Sequence, residues 1–482
     1  MTSPEFETVV GLEVHAQLST KSKIFCSDST SFGADPNTQV SPVSLAYPGT
    51  LPVMNSEVLN YALKLGLALN CTINRKSYFE RKNYFYPDLP KGYQVTQQAQ
   101  PICIGGVVSI ATEAGEKIIR LNRIHMEEDA GKSIHDNNDE YTNIDLNRAG
   151  VPLLEIVSEP DIRSGEEAWA YLTELRKIVR WIGVCDGNME EGSMRCDANI
   201  SVRRKGDQQY GTRVEVKNLN SIRHVKKAIE YEAARLINMI QNGETIQQET
   251  RSFDNINETT FSLRTKENAD DYRYFPEPDL PAIVVTEKML QETKDNLPEL
   301  PEAAFKRFKL EYQLSDYDAK NMVADKDTCS FFELLAEQTN NYKTAVNWIT
   351  GPVQFYCNEN SISIAEFPLE PKRIAELIQL TETGSVHFNV ASTKVMSALI
   401  ASPSDTARHL AEEMQLIQQS DETALNGWIE EVLNSMPDKV QEYKKGKKNL
   451  QGLFAGEVKK ISKGKADMQL VNKLLIERLN RH

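Results

Sequence analysis

The 482-residue sequence has few of the features that define several large protein classes. No apolar run approaches the roughly 18 residues that a membrane-spanning helix requires, so no such helix is predicted. The first residues carry acidic side chains before any apolar stretch, which predicts neither a secretory signal nor a transit peptide and favours a cytoplasmic protein. The seven cysteines are scattered, odd in number and without a Cys-x-x-Cys pair, which favours reduced thiols over a disulfide or zinc framework.

Several catalytic motifs are missing as well. Gly131-Lys132-Ser133 resembles the end of a phosphate-binding P-loop, but Met126 stands where that motif requires its first glycine. The nucleophile elbow and the His-Glu-x-x-His motif of metalloproteases are also absent. A bound nucleotide would therefore have to be held without a P-loop.

What is present is the composition of a globular protein, with 40% hydrophobic and 26% charged residues and a length that predicts two to four domains. Up to about residue 295, β-branched and aromatic residues alternate with glycines and prolines, as is typical of a sheet-centred domain. Beyond a proline-rich boundary, apolar residues recur at three- and four-residue spacing, which indicates helices. We therefore predict an α+β protein with a sheet-centred domain over 1–295, a helical domain over 296–405 and a basic helical tail over 406–482.

Charge is distributed unevenly along the chain. The net charge is −14, yet from Asp438 to His482 there are 12 Lys and Arg against 5 Asp and Glu, a local balance of +7. The densest part of this basic segment is a cluster that could contact nucleic-acid phosphates, formed by Lys444, Lys445, Lys447 and Lys448. On charge alone, a solvated helix face or loop explains the cluster equally well.

The N-terminal stretch from Thr8 to Leu18 alternates between apolar and other residues, which predicts a strand. Glu13, His15 and Gln17 share one face of that strand because successive side chains point to opposite sides. A carboxylate and an imidazole two residues apart can both reach one cation. The alternative is that this is simply the solvated face of a half-buried sheet.

Further acidic residues follow other strand patterns. Glu127, Glu128 and Asp129 are consecutive, while Glu155 lies among apolar neighbours where an unpaired charge is costly. Two more clusters contain Asp197 and the pair Asp270-Asp271. Hard oxygen ligands with at most one imidazole suit Mg²⁺ better than structural zinc. The alternative is a structural network of acids paired with arginines, for which the sequence offers Arg123, Arg195 and Arg273.

Four basic residues are candidate phosphate clamps on the sheet-centred domain, although surface lysines are usually just solvated. They are Lys82, Lys91, Arg213 and Lys217.

Eight stretches of the first 285 residues, taken together and in this order, resemble one known family. They are Val10-Gly11-Leu12-Glu13-Val14-His15, Arg81 to Gln94, His125 to Lys132, Asp145-Leu146-Asn147-Arg148, Glu155 to Arg163, Met189 to Asp197, Glu215 to Ser221, and Asp270 to Asp279. The sequence is thereby similar to the GatB family, whose members are subunits of the glutamyl/aspartyl-tRNA amidotransferases. The last 75 or so residues resemble the helical tail of that family, so the likeness covers nearly the whole chain.

The resemblance implies a fold and an activity. The fold is a cradle domain with a mainly antiparallel sheet, similar to glutamine synthetase and the guanido kinases, followed by a helical domain and a small helical tail that touches tRNA. The activity is ATP-dependent amidation of Glu-tRNA(Gln) or Asp-tRNA(Asn). The resemblance also implies a heterotrimer, in which a separate amidase subunit delivers ammonia and a third, small subunit holds the other two together.

The resemblance further assigns roles to residues. His15, Glu128 and Glu155 would hold one magnesium ion, while Glu13, Glu127 and Asp197 would serve a second one with the nucleotide. Glu13, His15, Glu127, Glu128 and Glu155 are accordingly the expected catalytic residues. Some members of the family carry cysteines in the loop after the first strand as a zinc knuckle. Here that loop reads Ser41-Pro42-Val43-Ser44, so we predict no zinc.

Two other functions compete with this interpretation. The chain could only present tRNA to a catalytic partner, which the basic tail favours but which leaves the acidic clusters unexplained. It could also be a free-standing ligase, similar to glutamine synthetase, that acts on a small acid without tRNA.

Overall fold

The computed structural model describes residues 5–134, 141–265, 272–417, 422–462 and 466–480. It divides into two compact units, Met1–Pro301 and Glu302–His482. None of the helices in the described ranges is both long and apolar enough to cross a membrane. The predicted α+β class, with a sheet-centred first part and a helical second part, is confirmed. The further division of the second part at residue 405 stays a prediction.

A ten-stranded sheet forms the centre of the first unit. Its strands are β1 (Phe6–Gln17), β2 (Thr72–Ile73), β6 (Cys103–Ile104), β7 (Val107–Thr112), β8 (Gly115–Glu128), β11 (Pro152–Ser158), β12 (Met194–Arg204), β13 (Val214–Leu219), β14 (Glu249–Asp254) and β15 (Thr259–Thr265). The strand order is β15-β14-β13-β12-β1-β11-β8-β6-β2, with β7 paired to β8, and the pairs are antiparallel except for β13 with β14.

Smaller sheets accompany the large one in the described ranges. Their strands are β3 (Lys76–Ser77), β4 (Glu80–Asn83), β5 (Tyr93–Thr96), β9 (Lys132–Ile134), β10 (Asn143–Asp145), β16 (Phe275–Pro276) and β17 (Ile283–Val284). β16 pairs with β4 and β4 with β5, while β17 pairs with β3 and β10 with β9. Arg81 on β4 donates two hydrogen bonds, of 2.8 and 2.7 Å, to the buried Glu277 carboxylate. This pair fixes the segment after β16 against β4.

Helices cover one face of the large sheet. Within the described part of this unit the helices are α1 (Ser56–Ala68), α2 (Gly165–Trp181), α3 (Ile222–Gln241) and α4 (Glu287–Asp295). α2 and α3 pack against each other, α2 against β7 and α3 against β12. α2 begins where the Ser164 hydroxyl accepts a hydrogen bond from the Glu167 backbone N–H at 3.1 Å.

The central strand β1 separates an apolar layer from a polar face. Val10, Leu12, Val14 and Ala16 are at most 1% exposed and belong to the core. Their neighbours Glu13, His15 and Gln17 are half-buried on the opposite face, as the alternation in the sequence predicts. The polar face of β1 therefore lies in the middle of the sheet, between β11 and β12, rather than at an edge.

The second unit is helical. Its helices are α5 (Pro301–Glu311), α6 (Asp316–Met322), α7 (Lys326–Ala336), α8 (Tyr342–Trp348), α9 (Gln354–Asn360), α10 (Pro371–Glu382), α11 (Phe388–Val390), α12 (Met396–Ala401), α13 (Ala407–Glu413), α14 (Glu422–Ser435), α15 (Pro437–Lys444), α16 (Gln451–Ile461) and α17 (Met468–Asn480). Two π-helical turns, Ile349–Val353 and Ala391–Val395, interrupt the bundle. α14, α16 and α17 share a hydrophobic core that includes Leu425, Phe454 and Leu475.

Candidate metal and nucleotide site

The register of three neighbouring strands aligns ionisable side chains across the sheet. His15 on β1 lies opposite Glu155 on β11, and Glu155 lies opposite His125 on β8. Directly opposite residues of antiparallel strands point to the same face, so the three side chains form one row. Glu127, two residues after His125 on β8, projects from that face as well.

The first cluster consists of His15, Glu127 and Glu155. His15 Nε2 lies 3.3 Å from Glu155 Oε2 and 3.6 Å from Glu127 Oε1. One ligand atom from each residue lies within 4.8 Å of the other two, which is close enough for a single metal ion. The side chains of His15 and Glu155 keep 18% and 16% of their surface exposed, so solvent reaches the cluster.

His125 completes the row and was not singled out as a site residue from the sequence. Its Nε2 lies 3.4 Å from Glu155 Oε2 and 3.6 Å from Glu127 Oε2. The signal that could have found it is its spacing to Glu127, because the two residues are two apart on one strand, as Glu13 and His15 are on β1.

The two carboxylates change the protonation of both imidazoles. Although burial alone would lower their pKa values, the contacts with Glu155 and Glu127 raise the pKa of His15 and that of His125 to about 9. Against the effect of burial, His125 and His15 hold the pKa of Glu155 well below its usual range. In the metal-free chain, protons on imidazole thus balance the carboxylate charge that a cation would otherwise balance.

The second cluster lies beside the first and consists of Glu13, Asp197 and Glu215. Glu13 on β1 is opposite Asp197 on β12, and ligand atoms of all three residues lie within 4.8 Å of one another. Lys217 Nζ donates to Asp197 and lies 3.5 Å from Glu215 Oε1, while Asn199 Nδ2 donates to Glu13 at 2.8 Å. Burial, together with the surrounding carboxylates, raises the pKa of Glu13. Glu215 was missed from the sequence, although the alternation of β13 places it with Lys217 on one face.

Glu128 does not join the first cluster, contrary to its expected place beside His15 and Glu155. Its Oε1 accepts a hydrogen bond of 2.8 Å from the Val95 N–H on β5, and its other oxygen pairs with Lys91. The reason is the alternation of β8, which turns consecutive residues to opposite sides. The structure brings Glu127 to His15 instead, and Lys91 is engaged with Glu128 rather than available on the acidic face.

The other candidate phosphate clamps differ in their surroundings. Lys82 Nζ lies 4.9 Å from the centre of the Tyr272 ring and 5.6 Å from that of Tyr84. Although burial lowers it, the pKa of Lys82 is raised overall by the charges of Tyr274 and of Glu127 and Glu155 in the first cluster. Lys217 belongs to the second cluster, as described above. Arg213 is exposed immediately before β13.

Among the residues that the structure describes, no arginine forms an ion pair with an acid of the first cluster. Arg195 pairs with the buried Asp129 at 3.0 Å, and Arg123 lies near Gln98. Within the described residues, the ion pairs of Glu127 and Glu155 are with imidazoles. The alternative of an arginine-paired structural network therefore does not account for these two acids. Asp270 and Asp271 lie outside the described residues.

In the second unit, the basic cluster of the sequence lies at the C-terminal end of α15 and just beyond it. Lys447 Nζ lies 3.1 Å from Glu442 Oε2, and Lys448 Nζ lies 4.1 Å from the centre of the Tyr443 ring. Lys444 is the last residue of α15 and Lys445 caps that helix. All four lysines are exposed at the surface.

Comparison with known proteins identifies the family. A family model described as the GatB/GatE catalytic domain matches residues 8–291, and a second, described as GatB domain, matches residues 330–479. The chain belongs to the GatB family. It is 48% identical over 480 residues to the B subunit of the aspartyl/glutamyl-tRNA(Asn/Gln) amidotransferase from Bdellovibrio bacteriovorus, covering 99% of this chain and 100% of the relative. It is 49% identical over 475 residues to the protein of the same name from Chlorobium phaeobacteroides, covering 98% of this chain and 99% of that relative.

The donor sets of this GatB chain fit a hard divalent cation. Each set of potential ligands has at least two carboxylates and at most one imidazole. Such a set suits Mg²⁺, whose remaining coordination positions would be filled by water or phosphate oxygens. Thiolates are absent from both clusters as the structure describes them, so the donor set does not resemble that of a structural zinc site.

Proposed function

We propose that this chain is the amidating subunit of a tRNA-dependent amidotransferase. It uses ATP to activate the side-chain carboxylate of glutamate on tRNA(Gln), or of aspartate on tRNA(Asn), and transfers ammonia to it. The observation that carries the proposal is the pair of acidic clusters, one on each side of β1, on a single solvent-reached sheet face. The names of relatives that are about 48% identical over nearly their whole length support the same activity.

The reaction has two balanced steps. A carboxylate oxygen of the aminoacyl group attacks the γ-phosphorus of ATP, the bond to the β-phosphate oxygen breaks, and ADP leaves with an acyl phosphate formed. Ammonia then attacks the acyl carbon, inorganic phosphate leaves with the bonding electrons, and the nitrogen loses a proton to give the amide. The first step is needed because ammonia cannot expel oxide from a carboxylate, whereas phosphate is a good leaving group.

The protein contributes position and charge rather than a nucleophile. His15, Glu127 and Glu155 would hold one magnesium ion, and Glu13 with Asp197 would hold the second. Bound magnesium would screen the phosphate oxygens from one another and from the substrate carboxylate. Glu215 would act with the second group, since it lies within reach of the same ion.

Basic side chains around the clusters would receive the phosphates. Lys217 forms ion pairs within the second cluster, and Lys82 interacts electrostatically with Glu127 and Glu155 of the first. Arg213 stays a candidate immediately before β13. Lys91 would contribute indirectly through Glu128, which it holds on the other side of β8.

The remaining parts of the proposal concern partners and location. Ammonia would come from an amidase subunit joined to this chain through a small third subunit, and the lysines from Lys444 to Lys448 would contact tRNA phosphates. The printed names of the relatives, which designate one subunit of an amidotransferase, support a multi-subunit enzyme. Such an enzyme would work in the cytoplasm, where charged tRNA is used.

The test is ATP-dependent conversion of charged tRNA by this chain purified with its partner subunits. Glu-tRNA(Gln) and Asp-tRNA(Asn) are supplied separately with ammonium chloride, with and without magnesium, and the amide is quantified after deacylation. We expect magnesium-dependent amide formation and ADP release. The proposal would be refuted if neither amide nor ADP formed with Glu-tRNA(Gln) and neither formed with Asp-tRNA(Asn). ADP release with a free small acid and no tRNA would support a small-acid ligase instead.

A role limited to tRNA presentation predicts a different result. In that case, replacing an acid of the first cluster would leave ammonia-dependent amidation unchanged. The basic tail favours such a role. A chain that only presented tRNA would, however, have no need to bring two groups of acids together on one sheet face, where their desolvation costs free energy.

A further inference from the structure

Glu155 lies between two imidazoles that differ in their access to solvent. His15 keeps 18% of its side chain exposed, whereas the His125 side chain keeps 5%. Both contact the same carboxylate oxygen, Glu155 Oε2, at 3.3 and 3.4 Å. Only His15 groups with Glu127 and Glu155 as a set of potential metal ligands among the described residues.

The two imidazoles divide the oxygens of Glu127 between them. His15 faces Oε1 at 3.6 Å and His125 faces Oε2 at 3.6 Å. Thr96 on β5 also donates to Oε2, at 3.2 Å. One oxygen of Glu127 is therefore engaged with buried protein groups, and the other is turned toward His15.

His125 is itself immobilised by its position. It lies inside β8, paired in register with Glu155, and the whole residue is 4% exposed. Its Nδ1 is buried and has no hydrogen-bond partner among the described residues. Its polar contacts thus run through Nε2 to the two carboxylates, and burying an imidazole with an unpaired nitrogen has a stability cost that packing alone does not explain.

We propose that His125 is a positioning residue that holds the carboxylates of Glu127 and Glu155 in place for the metal ion they share with His15. The inference rests on the proposed function only in taking this cluster as a magnesium site. His125 would touch neither the ion nor the substrate. It would act by presenting an N–H group to Oε2 of both acids, so that their geometry is set before the cation arrives.

The test compares two substitutions that differ in where they place a donor. In His125→Gln the amide nitrogen can occupy the position of Nε2, whereas in His125→Asn it occupies that of Nδ1, out of reach of the carboxylates. Both variants are polar and no larger than histidine. Mn²⁺ replaces Mg²⁺ as the probe, and its binding to the chain purified with its partner subunits is measured by electron paramagnetic resonance without ATP or tRNA. His224→Asn on α3, outside the site, is the control.

We expect His125→Gln to bind Mn²⁺ within about threefold of the unchanged protein and His125→Asn to bind it about 10- to 100-fold more weakly, as for other residues that orient metal ligands. Equal affinity in the two variants, whether normal or weakened, would overturn the inference. The result is separable from the proposed function. If the unchanged protein binds Mn²⁺ but forms no amide, the proposed activity is refuted, and the two His125 variants still decide the role of His125. If the unchanged protein forms amide normally but His125→Gln and His125→Asn bind Mn²⁺ equally well, only the role of His125 is refuted.

Discussion

Glu127 and Glu128 are consecutive residues of β8, and they serve opposite sides of the sheet. Glu127 Oε1 faces His15 at 3.6 Å, whereas Glu128 accepts a hydrogen bond from Val95 and pairs with Lys91. Both carboxylates are buried, with side chains at most 5% exposed. Both acids accept a hydrogen bond from β5, but only Glu127 also lies in the first cluster, while Glu128 is paired with Lys91.

Replacing each of the two acids by glutamine separates these roles. Glu127→Gln removes a charge from the first cluster, so we expect the magnesium concentration for half-maximal amidation to rise about tenfold or more and the rate at saturation to fall. Glu128→Gln leaves the cluster intact and exchanges an ion pair for a neutral contact with Lys91. Its magnesium requirement should change by less than about threefold. Magnesium titrations of ammonia-dependent amidation measure both. The reverse order of effects would assign the ion to Glu128.

The second cluster makes an equivalent prediction for Glu215. Its carboxylate lies with Glu13 and Asp197 around a common point, and Lys217 lies 3.5 Å from its Oε1. Glu215→Gln should therefore raise the KM for ATP more than it changes the affinity for Mn²⁺ measured without nucleotide, because this site is proposed to fill together with the nucleotide. Steady-state kinetics at saturating tRNA give the KM. An unchanged KM with a lower Mn²⁺ affinity would place Glu215 with the first ion instead.

The raised pKa values of the two histidines predict how stability depends on pH. A group whose pKa rises on folding, here from about 6.5 to about 9, stabilises the folded chain fully below pH 6.5 and loses that contribution as the pH approaches 9. The loss for His15 should be on the order of 3 kcal/mol. Metal-free protein in chelator should thus show a thermal midpoint that falls between pH 6.5 and 9. His15→Asn should show a shallower fall, and parallel curves for the two proteins would contradict the assignment.

The part of the candidate site that lies on a single strand was predictable from the sequence. The alternation of β1 places Glu13 and His15 on one face, and the structure has them there. The family resemblance placed Glu128 with His15 and Glu155, whereas the structure places Glu127 there, because β8 pairs with β11 in a register that sets His125 opposite Glu155. Local periodicity is a property of one segment, whereas register is set by contacts between segments far apart in sequence.

Register decides which cluster each of the two overlooked residues joins, although the alternation of their own strands already places His125 with Glu127 and Glu215 with Lys217. His125 and Glu215 join the clusters through strands separated from β1 by about 100 residues of sequence or more. The helical second unit was predictable from apolar spacing, since helix periodicity is local. The cost of burying Glu155 without a partner predicted that it belongs to a cluster of charged or metal-binding groups. It did not predict which residues form that cluster.

The basic cluster at the C-terminal end of α15 provides the last prediction. Truncating the chain at Asp438 would remove Tyr443, Phe454 and Leu475 from the core that they share with Leu425 on α14, so a truncated chain would lose more than charge. Point substitutions avoid this. Changing the four lysines to glutamine retains Tyr443, Phe454 and Leu475 and removes four positive charges from the surface.

If these lysines contact tRNA phosphates, the substituted protein should bind tRNA more weakly and with a smaller dependence on salt. Each lost phosphate contact lowers the slope of log K against log salt by about 0.7 to 0.9. The measurement is tRNA binding at several potassium chloride concentrations, with the enzyme assembled with its partner subunits. Lys320→Gln with Lys326→Gln, two exposed positions in the same unit, is the control for a general change in charge. A slope that matches that of the unchanged protein would show that the four lysines do not contact tRNA. Magnesium-dependent amidation at saturating tRNA should be the same in all three proteins, because the substitutions leave the acidic clusters of the first unit untouched.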